Sequence, residues 1–353
     1  MIRGERVNIV ISIEHPAWAH QFHNIIQYYL KKQDSVLVLA VNKDGDTDLL
    51  SRYGIEYDLL ADTTGKNVLQ KAYLFGKLSF LYTKEVLKFK PDVLIGRASP
   101  MMAVASFMSR RPHIIFEDTE ASRFSLFFCR IFSSCIITPE SFLSNLGHKQ
   151  RRMPIYKELF YLHPDVFEPD IYYLKQCGMN VSEKYVIVRF VAWNASHDIG
   201  QGGISIKDKI NFIETLAKHV RVYISSEMDI PSELAKYKLP IAYEKIHHAI
   251  YYASLVISEG ATMAGEAAVL GTYAFYLNAI VSGTTREQSD KYGLLRILKN
   301  PRTRYSTALT ETMEMLKRPK LWEENKQKRQ KILNDMINPN SQFISIIEKY
   351  RRG

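Results

Sequence analysis

A short apolar run that ends in glycine and opens into a helix of small residues is a place where a chain can hold a phosphate. Glu259-Gly260-Ala261-Thr262-Met263-Ala264-Gly265-Glu266, directly after the run Leu255 to Ser258, has this form. Gly260 and Ala261 let the backbone approach closely, and the unpaired amides of a helix start, with the helix dipole, favour an anion. Glu266 lies four residues after Thr262 and so shares its helical face. A carboxylate there suits the diol of a ribose better than a phosphate. The same residues also fit a Thr262 cap with Ala264, Gly265 and Ala267 as spacers for close helix packing, and residue types alone leave both readings open.

Four more polar clusters directly follow apolar runs. They are Glu14-His15-Pro16-Ala17-Trp18-Ala19-His20, Glu117-Asp118-Thr119-Glu120, Val191 to Gly200 with Asn194, Ser196 and His197, and Ser225-Ser226-Glu227. His15, His20, Glu117 and Glu120 are the candidates for a base that takes a proton from a hydroxyl nucleophile. For each the structural alternative is a helix cap or a hydrogen-bonded loop anchor. No three or four His, Cys, Asp or Glu residues stand at metal-ligand spacing, so neither a metal nor another cofactor is expected. The chain has no GxxxxGK[ST] loop, no GxGxxG after its first strand and no GxSxG elbow, which disfavours a P-loop kinase, a standard NAD site and a serine-elbow hydrolase.

The elements that must position these clusters are strands of four to seven residues alternating with helices. The first half reads as strands at Val7 to Ile13, Val36 to Val41, Val93 to Gly96, His113 to Glu117 and Cys135 to Thr138, with helices at His20 to Lys32, Asp46 to Tyr53 and Val68 to Phe89. After a proline- and aromatic-rich break, strands recur at Tyr185 to Phe190, Val220 to Ser225, Leu255 to Ser258 and Tyr273 to Leu277, with helices between them. Nearly continuous apolar strands separated by helices predict parallel sheets covered on both faces. The expectation is therefore an α/β protein of two doubly wound, Rossmann-like lobes facing a cleft, followed by a helical C-terminal tail. The expected limits are 1–150 for the first lobe, 151–184 for a linker, 185–303 for the second lobe and 304–353 for the tail.

Composition narrows the partners. The 353 residues carry a net charge of +10, which asks for a negative partner. No nucleic-acid motif is present, so nucleic acid is not expected. Lys149-Gln150-Arg151-Arg152 and the stretch Lys66 to Lys90, where lysines alternate with Leu, Phe and Tyr, read either as a solvated basic face or as a contact with anionic lipid headgroups. The cysteines Cys129, Cys135 and Cys177 have no metal spacing and read as free thiols of a reducing compartment. The opening MIRGERVNIVISIEHP reads as a strand rather than a signal peptide, and no apolar run reaches transmembrane length. These features predict a cytoplasmic protein, peripheral at the inner face of the plasma membrane if the lipid reading holds.

Arg189 to Asp198, Ile224 to Glu227, Glu244 to His248 and Gly260 to Gly271, with His15-Pro16, His20, Phe22 and Asn24 near the start, resemble the bacterial and archaeal family called domain of unknown function 354. The resemblance runs from about Asn8 to about Ile297. The family is similar in layout to B-type glycosyltransferases and to the non-hydrolysing nucleotide-sugar 2-epimerases. That likeness implies that Gly260, Ala261 and Thr262 meet the diphosphate, that Glu266 holds the ribose, and that Lys245 to His248, His247 among them, lie by the base. It also implies that the segment Arg189 to His197 reaches toward the diphosphate or sugar. This chain has Tyr273 where the relatives usually have proline. It has Ile95-Gly96-Arg97-Ala98-Ser99 and Ala192-Trp193-Asn194-Ala195 where the epimerases carry an aspartate and a histidine-arginine pair.

The resulting expectation is a metal-independent glycosyltransferase of cell-surface polysaccharide or glycolipid assembly. It would take a nucleotide diphosphate sugar, with UDP as the nucleotide, and a lipid-linked or saccharide hydroxyl acceptor. Its base would be His20 or Glu120 ahead of Glu117 and His15. Arg189, Asn194, Ser196, His197, Glu227, His247, Gly260, Ala261, Thr262 and Glu266 would bind the donor. A UDP-sugar 2-epimerase and a non-catalytic nucleotide-sugar-binding protein are the alternatives.

Overall fold

The structure is a computed structural model and describes residues 6–42, 46–61, 68–191, 204–226 and 229–351. It divides into two compact units, Met1–Val166 with Ile337–Gly353, and Phe167–Met336.

The first unit is built on β1 (Asn8–Ile13), β2 (Ser35–Val41), β3 (Asp58–Ala61), β4 (Val93–Gly96), β5 (His113–Phe116), β6 (Cys135–Pro139) and β7 (Gln150–Met153). These form one parallel sheet in the order β3-β2-β1-β4-β5-β6-β7. Its helices are α1 (Pro16–Lys31), α2 (Asp46–Arg52), α3 (Val68–Phe89), α4 (Pro100–Ser109), α5 (Arg123–Phe132) and α6 (Leu159–Leu162), joined by the last helix of the chain. The order reverses between β1 and β4, the point at which doubly wound sheets bind ligands. Both strands feed helices started in the same way. α1 opens on Pro16 with His15 Nδ1 accepting from the Ala17 amide at 3.1 Å, and α4 opens on Pro100 with Ser99 Oγ accepting from Met102 N at 3.2 Å. Proline at the first helical position, preceded by a side-chain acceptor, satisfies amides that the helix itself cannot.

Two strands of this sheet were not expected. Asp58-Leu59-Leu60-Ala61 and Gln150-Arg151-Arg152-Met153 form the edges β3 and β7. Edge strands tolerate polar residues, and charge there discourages pairing with another chain, so the periodic signal is weak. The basic run at Lys149 to Arg152 is therefore largely an edge strand, and Arg152 donates to the carbonyls of Glu140, Phe142 and Ser144.

The second unit contains β8 (Tyr185–Phe190), β9 (Arg221–Ser226), β10 (Leu255–Ser258), β11 (Tyr273–Tyr276) and β12 (Leu295–Ile297), parallel in the order β12-β11-β10-β8-β9. Its helices are α7 (Ile171–Gln176), α8 (Ile206–Ala217), α9 (Ile246–Tyr252), α10 (Ala261–Val269), α11 (Gly283–Asp290), α12 (Arg304–Leu316) and α13 (Leu321–Asp335). The order reverses between β8 and β10. The core joins Val186, Val188 and Phe190 of β8 to Phe212, Ile213 and Leu216 of α8 and to Ile257 and Phe275. β12 and α11 were not expected. The buried side of α11 is Thr284, Thr285 and Gln288, so it shows no apolar period.

The two α/β sheets and the helical C-terminal region agree with the expected fold class. The division falls at Val166/Phe167, inside the segment read as a linker, which itself carries β7, α6 and α7. The tail is shared between the units. α12 and α13 pack in the second, while α14 (Pro339–Arg351) returns to the first. There Ile337 N donates to Pro154 O at 2.9 Å, Asn340 Nδ2 donates to Phe160 O at 2.8 Å, and the Phe343 ring meets Phe22 and Phe160 at 6.0 and 5.7 Å.

Candidate functional site

At the switch point of the second unit, Ser258 of β10 lies in register with Arg189 of β8, and Glu259 N donates to Arg189 O at 3.1 Å. Glu259 ties this point together. Its carboxylate accepts from Val191 N at 2.8 Å, lies 2.8 Å from Lys209 Nζ on α8, and accepts from the Tyr305 hydroxyl on α12. Lys209 is 2% exposed. Two opposite charges withdrawn from water hold only when each compensates the other, so Glu259 and Lys209 form the frame of the site. Lys209 shares the buried face of α8 with Phe212, Ile213 and Leu216. A lysine at an apolar-face position is the sequence signal that could have revealed a buried partner.

The next residues start α10. Gly260 caps it in an extended conformation (φ −98°, ψ 136°), and no side chain among the described residues caps the helix. Gly260 and Thr262 are half-buried and Ala261 is exposed. A Cβ at Gly260 would lie 3.4 Å from Val191 Cγ2, an ordinary contact, so glycine is not demanded by sterics here. A glycine there brings no side-chain acceptor of its own to the amides of the first turn. One turn along, the buried Glu266 carboxylate lies 3.0 Å from His247 Nε2 on α9. The far end of α10 is structural. Gly271 has φ +70°, and a Cβ there would come within 2.7 Å of Arg329 Cβ. Lys326 Nζ donates to Leu270 O at 2.8 Å and Arg329 Nε to Val269 O at 3.1 Å, so α13 caps the end of α10 with two donors. Arg329 is the cation that the dipole favours, while burial, followed by Arg329, pushes Lys326 down to about 6.

Arg189 is buried beneath this surface. Its guanidinium donates to Ser225 Oγ on β9 at 2.9 Å and lies 5.8 Å from the centre of the Tyr243 ring. A small pocket of about 260 Å³ opens beside it, lined among others by Ser225, Ser226, Tyr243 and Ile246. His248 faces elsewhere. Its Nδ1 accepts from Asp170 N at 2.9 Å, and burial, followed by Lys245 and His247, pushes the ring down to about 4, so it is neutral near pH 7. The structure therefore gathers Arg189, Gly260, Ala261, Thr262, His247 and Glu266 around the strand ends of one unit. Asn194, Ser196, His197 and Glu227 lie outside the described residues. Tyr243 was not foreseen, because nothing in its local sequence ties it to Arg189.

In the first unit the four candidate bases have separate surroundings. His20 is 4% exposed, stacked on Tyr161 at 5.3 Å, with Nδ1 2.6 Å from the Tyr53 hydroxyl. Glu120 accepts from Leu143 N at 2.9 Å and anchors a loop. Glu117 accepts from Asp118 N and Thr119 N at 3.1 and 3.0 Å and pairs with Arg97. Arg97 also pairs with Asp118, which lies 3.5 Å from Lys157. Burial would raise the Asp118 carboxyl, but Arg97 and then Lys157 outweigh it and hold it well below the usual carboxylate range. His15 lines a pocket. This cavity of about 410 Å³ is bounded by Glu14, His15, Trp18, Phe75, Met101 and Phe124, among others. With Nδ1 accepting from Ala17 N, the neutral His15 ring carries its proton on Nε2 and is a donor there. Glu14 accepts from Ser99 Oγ at 2.6 Å and the Tyr82 hydroxyl at 2.9 Å. It was within the first polar cluster of the sequence but was not singled out as a base.

No group of three or more His, Cys, Asp or Glu residues able to hold a metal occurs among the described residues. Neither a family model nor a curated protein sequence matches the chain. Solved structures do. UDP-GlcNAc 2-epimerase from Neisseria meningitidis, in a crystal structure bound to UDP-GlcNAc, is 13% identical over 97% of this chain and 100% of that one, with a TM-score of 0.67. The UDP-GlcNAc 2-epimerase of Methanocaldococcus jannaschii is 14% identical over 97% and 99%, with a TM-score of 0.64. The spinosyn forosaminyltransferase is 10% identical over 99% and 100%, with a TM-score of 0.66. The chain thus has the two-lobed Rossmann-like fold that these epimerases and this glycosyltransferase share. At such identity the likeness is one of fold, and fold alone does not carry an activity.

Proposed function

We propose that the chain is a glycosyltransferase that binds a nucleotide diphosphate sugar, with UDP as the nucleotide, at the strand ends of the second unit. It passes the sugar to a hydroxyl acceptor. The observation that carries this reading is the pairing, on adjacent strands, of the buried Arg189 with the side-chain-free helix start at Gly260. Together they offer a guanidinium and a set of amides to one anion. In the transfer, the bond from the sugar's anomeric carbon to the diphosphate oxygen breaks and a bond to the acceptor oxygen forms. The departing oxygen keeps the electron pair, and Arg189 with the α10 amides stabilises its charge. The Glu266 carboxylate accepts from the ribose hydroxyls, and the Ser225–Tyr243 pocket receives the base. Glu14, on the lining of the first unit's cavity, takes the acceptor's proton, with Tyr82 and Ser99 fixing its orientation. Kinship with domain of unknown function 354, and a lipid-linked acceptor at an inner membrane face in cell-surface polysaccharide or glycolipid assembly, belong to the same proposal.

A UDP-sugar 2-epimerase is the second reading, favoured by the fold shared with two such enzymes. Against it stands Arg97, clamped between Glu117 and Asp118 just after β4, in the segment where an epimerase carries an aspartate. One experiment separates the readings. The purified chain is incubated with UDP-sugars and a lipid extract in deuterated water, and products are followed by mass spectrometry. Release of UDP with a glycosylated acceptor is the expected result. Deuterium at C2 of the sugar without UDP release would establish the epimerase. Retention of an unchanged sugar nucleotide would leave a binding protein.

A further inference from the structure

Three helices of the first unit, α3, α4 and α5, lie side by side over the sheet. Their inner faces are buried through Leu78, Tyr82, Met102, Leu126 and Cys129. Their outer faces remain strongly apolar. Tyr73, Phe80, Phe107, Phe124, Phe127 and Ile131 are each at least half exposed, between 50% and 69%. An aromatic ladder binds this surface into one piece. Phe75 meets Phe124 and Phe128 at 6.0 and 5.2 Å, Phe128 meets Phe132 at 6.3 Å, and Phe132 meets Phe107 at 4.9 Å. A connected apolar strip of this kind, unlike scattered exposed side chains, marks an interaction surface.

The charge on the same three helices is one-sided. They carry Lys71, Lys77, Lys84, Lys88, Arg123 and Arg130 against the single carboxylate Glu85, which pairs with Lys88 at 3.5 Å. At the ends of α4 and α5, Phe107, Met108 and Phe132 border a large open pocket of about 1120 Å³. Its rim also carries Arg110, Arg111, Arg151, Lys349 and Arg351, and its one carboxylate, Asp92, accepts from Asn8 N at 2.9 Å.

We infer that this face docks on an anionic lipid bilayer. The exposed rings enter the boundary between headgroups and acyl chains, the lysines lie along the headgroup layer, and the basic pocket takes a headgroup phosphate. A second copy of the chain fits less well, because the strip would bring two sets of like charges together. The contact is interfacial, since no helix among the described residues is long and apolar enough to cross a membrane. Docking does not depend on the sugar chemistry. Only its use, to reach a lipid-linked acceptor, rests on the transferase reading.

The test is flotation of the full chain with vesicles of phosphatidylcholine alone or mixed with phosphatidylglycerol, without any sugar nucleotide. Binding is expected to the anionic vesicles only and to weaken as salt rises. Arg110→Gln with Arg111→Gln should lower the partition coefficient about twenty-five-fold, each basic residue near an anionic surface contributing about fivefold. Phe127→Ser with Ile131→Ser should abolish it, with circular dichroism and UDP affinity unchanged. Equal binding to neutral vesicles, or no binding to either, would overturn the inference. So would a concentration-dependent dimer in sedimentation that the Phe127/Ile131 variant dissolves, since the strip would then be a self-interface. Loss of UDP binding with flotation intact would instead strike the proposed donor site alone.

Discussion

The two units share the same parallel α/β architecture and treat the charges at their strand ends in opposite ways. After β4 and β5, the first unit sets Arg97, Glu117, Asp118 and Lys157 against one another, all buried. After β8 and β10, the second unit uses one carboxylate, Glu259, as an internal tie, and among the described residues no side chain caps the start of α10 beside Arg189. Buried charges that neutralise each other contribute rigidity and specificity of packing, and they have little left to offer a ligand. At the second unit's strand end the guanidinium of Arg189 donates to the hydroxyl of Ser225 and stands beside the first turn of α10. Similar topology at a strand end is thus no guide to chemistry until the partners of each charge are known.

The largest expected effect tests the closed side of this contrast. Asp118→Asn leaves Arg97 and Lys157 short of a buried carboxylate and should destabilise the first unit by about 3–5 kcal/mol, seen as a lower urea midpoint. UDP affinity should be unchanged, and a loss below about 1 kcal/mol would mean that the cluster behaves as a solvated one. The pH profile should carry the same mark. Burial pushes His113 down to about 3, below the 6.5 of an exposed ring, so the unfolded chain takes up that proton first. Stability should therefore fall as pH drops from about 6.5. Asp118 is also depressed in the fold, so its contribution is present above the unfolded value of about 3.9 and is lost on further acidification. His113→Gln should flatten the first stage and leave the second, as urea midpoints across pH will show.

Arg189→Ala tests the open side. Removing a charge-assisted contact should weaken UDP binding by about 1.5–3 kcal/mol, measurable by calorimetry. Unchanged affinity would move the diphosphate away from this strand end. A smaller effect, about 1–3 kcal/mol, is expected for Glu266→Ala. Because His247 Nε2 sits 3.0 Å from that carboxylate, His247→Ala should share part of the same loss, and the double variant should cost less than the sum of the two. Strict additivity would show that His247 contributes without acting through Glu266. The smallest effect is none at all. Turnover should survive EDTA, because Arg189 and the α10 amides supply the positive charge toward the leaving group. Activity lost to EDTA and restored by magnesium or manganese would end that assignment.

Much of the second unit's site could be read from local sequence. Leu255 to Ser258 followed by Gly260 and small residues announces a strand, a turn and a helix start, and the structure has β10 and α10 within a residue of those limits. Arg189 was singled out only through the family resemblance of the segment Arg189 to His197. The missing parts have distant partners. Lys209 and Tyr305 meet Glu259 from residues about fifty positions away on either side. In the first unit, two of the proposed bases, His20 and Glu120, have as neighbours Tyr53, Tyr161 and a loop amide, none of them adjacent in sequence.

What short-range pattern dictates is the set of elements. Apolar runs buried on both faces make the central strands, Pro16 and Pro100 with their capping acceptors start the helices that follow β1 and β4, and Gly271 ends α10 with a left-handed residue. Each of these depends on residues a few positions apart, so each is present in the sequence as written. Edge strands such as β7, the return of α14 to the first unit and the state of every buried charge depend on contacts across tens or hundreds of residues. A carboxylate becomes a tie, a clamp or a ligand group according to which cation shares its water-poor surroundings. That pairing follows from the desolvation of both partners together, and it exists only once the sheets have formed.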